Sequence, residues 1–184
     1  MKSGKFLAFN RGVVNAALAS VVALASAGVV GNAYAAAASS TATSTVITPI
    51  AIAAPVPLSF GKFSSRLAGT IKVDPNNAIT VTGGVLSGTG ATVTAARFDV
   101  TGDTVNTYSI THSGDTVLTS GTVINDMALS KVSALTAIAS TTNVTSGTLT
   151  AGAQSIFVGG TLTVAANQVA GTYTGAVTVT VEYN

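Results

Sequence analysis

The sequence predicts an all-β protein built as an antiparallel β-sandwich, and three observations carry that prediction. Short runs rich in Val, Ile, Thr, Tyr and Phe recur about 8 to 12 residues apart with Gly, Asn, Asp or Pro between them. No long helical period follows the first 35 residues, "SALTAIAS" at 133–140 being the one stretch that tempts toward a helix. The closing "GTYTGAVTVTVEYN", residues 171–184, alternates with the period of a strand. Its Tyr173, Gly175, Val177, Val179, Val181 and Tyr183 fall on one face, and Thr174, Ala176, Thr178, Thr180 and Glu182 on the other. A helix would scatter these residues around its circumference, and β-branched Val and Thr favour a pleated, half-buried surface. Full burial of each such apolar side chain contributes roughly 1.5 to 3 kcal/mol, so this face must pack against something.

The start of the chain reads differently. Lys2, Lys5 and Arg11 precede an apolar run from Gly12 to Val30, and "NAYAAAASS" follows. Ala33 and Ala35 satisfy the small-x-small rule for signal-peptidase cleavage, with a cut after Ala38 as second choice. The run is nearly long enough to span a bilayer, but its Ala and Gly richness, Asn15 and the small-residue exit favour an export signal over a retained helix. The expected organisation is a signal peptide at 1–35, an N-terminal extension at 36–56 and a sandwich domain at 57–184. No stable membrane insertion is expected after cleavage.

Charge and composition then narrow the function. Without Lys2, Lys5 and Arg11 the eight basic residues become five, against six acidic ones, so the high isoelectric point belongs largely to the leader. No basic patch interleaved with aromatics remains, and no nucleic-acid partner is expected. The chain has no cysteine, which excludes disulfides and thiolate metal sites even in an oxidising compartment. Stability must come from packing and strand pairing.

Along the extension, Val46, Thr48, Ile50, Ile52, Ala54 and Val56 alternate with Ile47, Pro49, Ala51, Ala53, Pro55 and Pro57. Proline cannot donate to a ladder, so three of them mark a peripheral or added strand. "LSFGKF" at 58–63 and "GTIKV" at 69–73 are the next strands, and "DPNN" at 74–77 is a turn that Pro75 and the Asx side chains favour. "AITVT" at 78–82 ends at Gly83 and Gly84. Then come "ARFDVTG" at 96–102, "TYSITH" at 107–112, "TVLTSG" at 116–121 and "NDMALSKV" at 125–132. "LTAG" at 149–152, "SIFVGG" at 155–160, "TLTVAA" at 161–166 and the closing strand complete the set. The glycine pairs at Gly83 and Gly159 read as turns or bulges, since no lysine and helix follow to make a phosphate loop.

Groups able to carry catalysis are sparse. His112 is the only histidine, and "THSGD" around it reads as a polar surface turn; its adjacency to Ser113 and Asp115 does not create a catalytic triad. Asp74, Asp99, Asp103, Asp115 and Asp126 are spaced singly rather than gathered in one calcium-binding loop. No enzyme activity, metal or cofactor is expected. "NVT" at Asn143 matches a glycosylation acceptor, but a bacterial export signal favours the unmodified reading.

The terminal stretch resembles the C-terminal signature of chaperone-usher pilus subunits, with an alternating apolar strand, penultimate Tyr183, and Gly171 fourteenth from the end. The wider sequence resembles the secreted bacterial family catalogued as domain of unknown function 4402. That likeness rests on "LSFGKF", "ITVTGG" at 79–84, "ARFDVTG", "VGGTLTV" at 158–164 and "AGTYTGAVTVTVEYN" at 170–184, and covers nearly all of 45–184. The pilin resemblance implies an immunoglobulin-like sandwich lacking its last strand and completed by a donor strand. It implies Val46, Thr48, Ile50, Ile52, Ala54 and Val56 as donor residues. It also implies an acceptor groove and chaperone-binding strand at Gly171, Tyr173, Val177, Val179, Val181 and Tyr183. The implied partners are a periplasmic chaperone, an outer-membrane usher and other copies of the chain, with export through the periplasm to the cell surface. Many pilins carry a cysteine pair that this chain lacks, and Glu182 stands where Asn or another polar residue is common. The alternative is a self-complete secreted binding module, an adhesin or matrix protein, in which residues 45–54 fold back into their own domain.

Overall fold

A computed structural model describes residues 35–90, 92–121 and 126–184. The expected signal peptide lies outside the described residues except for Ala35. The chain divides into two units at Thr43 and Ser44. The described part of the first, 35–43, is irregular and exposed. The second is all-β and antiparallel, as its sequence predicts.

Its strands are β1 (Ala51–Val56), β2 (Ser59–Phe60), β3 (Phe63–Val73), β4 (Ile79–Ser87), β5 (Val93–Thr94) and β6 (Ala96–Thr101). They continue as β7 (Thr107–Gly114), β8 (Val117–Leu118), β9 (Met127–Ala134), β10 (Ser146–Thr148), β11 (Ala153–Val164) and β12 (Val177–Tyr183). The larger sheet contains the order β1-β6-β11-β9, and a smaller one the order β10-β7-β12. An immunoglobulin sandwich sets strands ABED against CFG. Here β1, β6, β11 and β9 take the places of A, B, E and D, while β7 and β12 take those of C and F. No described strand takes the place of G.

The β3–β4 hairpin is inserted between the A and B positions, and the long β11 accommodates it. Residues 153–158 of β11 pair with β6, and 160–164 of the same edge pair with β3, while β9 covers the other edge. The handover falls at Gly159. A Cβ there would collide with the carbonyl of Val73 and lie close to Asp74 and Pro75, so the two strands can abut end to end only over a glycine. "SIFVGG" and "TLTVAA" are therefore one strand, and Gly159 is neither a turn nor a bulge. Gly83 does sit at a bulge, with a φ of 64° where β3 and β4 shift register.

Asp74–Asn77 forms the expected turn, with the Asn77 amide donating to the Asp74 carbonyl at 2.9 Å and Asn77 at a φ of 66°. "LTAG" is not a strand; Ala151 and Gly152 form the tight connection from β10 to β11. "SALTAIAS" begins in β9 and continues without a helix.

Strand alternation fills the interior with two clusters. The first gathers Phe98, Val100, Tyr108, Ile110, Ile156 and Val158 with Val179 and Val181. The second gathers Phe60, Ile71, Val73, Met127, Leu129, Leu162 and Val164. Gly159→Ala should lower stability by about 1 to 3 kcal/mol, the usual cost of overpacking. The midpoint of urea unfolding reads this, and an unchanged midpoint would show that the β3–β6 junction tolerates a side chain.

Candidate functional site

The C-terminal strand forms one ladder only. β12 pairs with β7 from Val177 opposite Gly114 to Tyr183 opposite Tyr108. Among the described residues no strand pairs with its other edge. Val179 and Val181 are buried, Val177 and Tyr183 half-buried, and Thr178, Thr180 and Glu182 exposed, which matches the two faces expected from the sequence.

The strand is shorter than expected, and the reason is local. Before Val177 the chain bends to serve neighbouring loops: the Ala176 amide donates to Asp115 Oδ2 at 2.6 Å, and Thr174 forms an isolated bridge with Thr119. A Cβ on Gly175 would press on Leu118 and the Val117 carbonyl. Tyr173 lies off the strand, and its hydroxyl donates to the Val169 carbonyl at 2.8 Å.

That bend opens a cleft of about 800 Å³ at the Val177 end of β12. Gly171, Tyr173 and Val177 contribute to its lining. Facing contributions come from Leu58, Phe60 and Phe63, after β1, and from Met127, Leu129 and Leu162 of the larger sheet. Gly171, Tyr173 and Val177 of the expected acceptor set border the cleft, Val179 and Val181 are members of the first core cluster, and Val177 and Tyr183 both pack against that cluster.

The expected donor set is divided. Ala51–Val56 pairs with β6 of the same chain, Ala51 opposite Thr101 and Val56 opposite Arg97. Ile50 packs against the first cluster, and Val56 is half-buried. Ile52 and Ala54 are exposed on this edge strand, and Val46 is 93% exposed. The Thr48 carbonyl accepts a hydrogen bond from the Tyr183 hydroxyl at 2.9 Å, and that hydroxyl accepts one from the Asp103 amide at 2.7 Å. A Cβ on Gly102 would collide with the same hydroxyl. Neither Gly102 nor Asp103 was recognisable as part of this site from sequence, because only the fold brings the β6–β7 turn to the end of β12.

His112 occupies the interior side of β7 rather than a surface turn. Its Nε2 lies 2.9 Å from the Val144 carbonyl and 3.0 Å from Ser133 Oγ, which itself accepts the Val144 amide at 2.9 Å. A carbonyl can only accept, so Nε2 carries the proton that bonds Val144. Ser133 is 1% exposed and His112 half-buried, and the pair ties β7 to β9. Asp115 is engaged with Ala176 instead.

Tyr108 is fully buried with its ring against Gly147, and its hydroxyl has no partner. Burial pushes its phenol above the ordinary value near 10. The folded state therefore favours the neutral phenol, and this stabilisation is complete below pH 10 and lost as pH rises through the higher folded value. Tyr108→Phe should leave stability at neutral pH unchanged or raised, because it removes an unsatisfied buried group. It should also flatten the alkaline decline; an equally steep decline in melting temperature above pH 10 would contradict the assignment. Val179→Asp places an unpaired carboxylate in the first cluster and should cost several kcal/mol, read as a large fall in melting temperature. An unshifted melting curve would contradict the inward placement of this face.

No curated protein and no solved structure matches the chain. A family model does match, over residues 50–183, and its description is domain of unknown function (DUF4402). The match spans the sandwich from Ile50 to the penultimate Tyr183, and the chain belongs to this family.

Proposed function

We propose that the protein is a structural subunit of a surface pilus or fimbria, exported through the periplasm and assembled by strand addition. The observation that carries this reading is the second edge of β12, which no strand among the described residues pairs, in a sandwich where none of those strands takes the G position. An open edge exposes backbone donors and acceptors and is a template for another chain. An added strand would gain main-chain hydrogen bonds there, and its alternate side chains would gain specificity from pockets such as the adjacent cleft. A periplasmic chaperone and an outer-membrane usher would protect and deliver that edge. Donation from one end and acceptance at another is a head-to-tail contact, and its repetition makes an open filament. This role needs no metal, cofactor, nucleic acid or catalytic group.

The test removes residues 36–47 and leaves β1 in place. Filaments should disappear from electron micrographs of sheared surface material while the subunit is still recovered with its chaperone. Filaments of normal length from the deletion would overturn the donor assignment.

A second reading is favoured by the pairing of β1 with its own β6 and by the bond from Tyr183 to Thr48. On that reading the protein is a self-complete secreted binding module. A stable, monodisperse monomer purified without any chaperone would support it and remove the open groove.

A further inference from the structure

We propose that Tyr183, Gly102 and Asp103 form a clamp on Thr48 that sets where the N-terminal segment parts from its own sandwich. The Tyr183 hydroxyl has a single proton, which it donates to the Thr48 carbonyl at 2.9 Å, and it accepts the Asp103 amide at 2.7 Å. Both distances lie within hydrogen-bonding range, and donating to one partner while accepting from another holds the hydroxyl in one orientation. Gly102 makes room for it, since any side chain there would occupy the hydroxyl's position. The bond joins the last residue of β12 to a residue 135 positions earlier in the chain.

The two sides of the clamp have opposite character. Two residues after Thr48, Ile50 packs on the first core cluster, and Ala51–Val56 is laddered to β6. Two residues before it, Val46 is 93% exposed, and Ile47 is 48% exposed. Strand direction gives the geometry a polarity. β1 runs from Thr101 toward Arg97 of β6, so the chain preceding Thr48 leaves at the Thr101–Asp103 end. The cleft lies at the Val177 end of β12, the opposite end of the strand from Tyr183.

The consequence for partners rests on the pilin reading above; the clamp itself does not. Thr48, Ile50, Ile52, Ala54 and Val56 stay with their own sandwich, and the donor consists of residues before Thr48. Its large apolar side chains are those of Val46 and Ile47, and its partner is a second copy of this chain.

The experiment compares Tyr183→Phe and Gly102→Ala with the unaltered protein, each expressed from the full-length sequence, by hydrogen-exchange mass spectrometry. The first substitution removes the hydroxyl and the second displaces it. Peptides covering 48–56 should exchange about threefold to tenfold faster in both variants, the loss expected for one hydrogen bond, while β7 and β11 keep their protection. Unchanged exchange at 48–56 in both variants would overturn the clamp. So would a uniform increase across β7 and β11, which would mean that the residues support the whole sandwich. A photocrosslinker at position 46 then examines the partner. Crosslinks between copies that reach the 171–177 stretch support the assigned donor, and crosslinks confined within one copy overturn it. If the unaltered protein forms no filaments while the exchange result holds, the pilin reading fails and the clamp stands.

Discussion

Every strand of the larger sheet is positioned by the way β11 shares its edges. One edge is given wholly to β9, and the other is divided between β6 and β3 at Gly159. Main-chain hydrogen bonds fix this division, and steric room decides where it falls: only a residue without a Cβ lets Val73–Pro75 approach so closely. Because β6 is aligned by the first half of β11, its outer edge is available to β1, and its C-terminal turn is carried to the end of β12. The inserted hairpin uses the second half and extends the core without disturbing the immunoglobulin order.

That arrangement leaves the smaller sheet short. With β10 on one side of β7 and β12 on the other, nothing described covers the second edge of β12. Backbone groups on such an edge are satisfied by water or by another strand, and exposed edges are a known aggregation hazard that proteins manage. At the Tyr183 end the side chain, not the edge backbone, is engaged: its hydroxyl donates to the Thr48 carbonyl, and Ile50 packs on the first core cluster. The Val177 end borders a cleft of mixed lining, Leu58, Phe60 and Phe63 beside Lys62, Ser64 and Gln168. The two ends of β12 therefore differ, one bonded to Thr48 through a side chain and the other beside the cleft.

His112 Nε2, Ser133 Oγ and the backbone of Val144 bond one another and hold β7 against β9 at the margin of the core. Two buried polar atoms of β7 have no partner among the described residues, the second ring nitrogen of His112 and the hydroxyl of Tyr108, whose ring packs against Gly147. Proximity in sequence misleads here. Ser113 and Asp115 stand beside His112 in the chain, yet its partner is Ser133, twenty-one residues away on another strand.

Alternation by itself determined the inward face of β12, because Val177, Val179, Val181 and Tyr183 have no other arrangement in which they share a side. Turn chemistry likewise determined the Asp74–Asn77 reversal, where proline and Asx residues act on their own backbone. Strand length was less legible: the alternating pattern continued back to Tyr173, but Asp115, Leu118 and Thr119, distant in sequence, drew that part out of the ladder. The same holds for Gly159, which looks like a turn residue until two strands must meet over it. Only the tertiary structure decided which half of the proline-rich segment joins the sandwich, and that Gly102 and Asp103 meet Tyr183. Local patterns report the preferences of a residue and its neighbours, whereas edges, clefts and clamps arise from pairings between distant segments that no local period records.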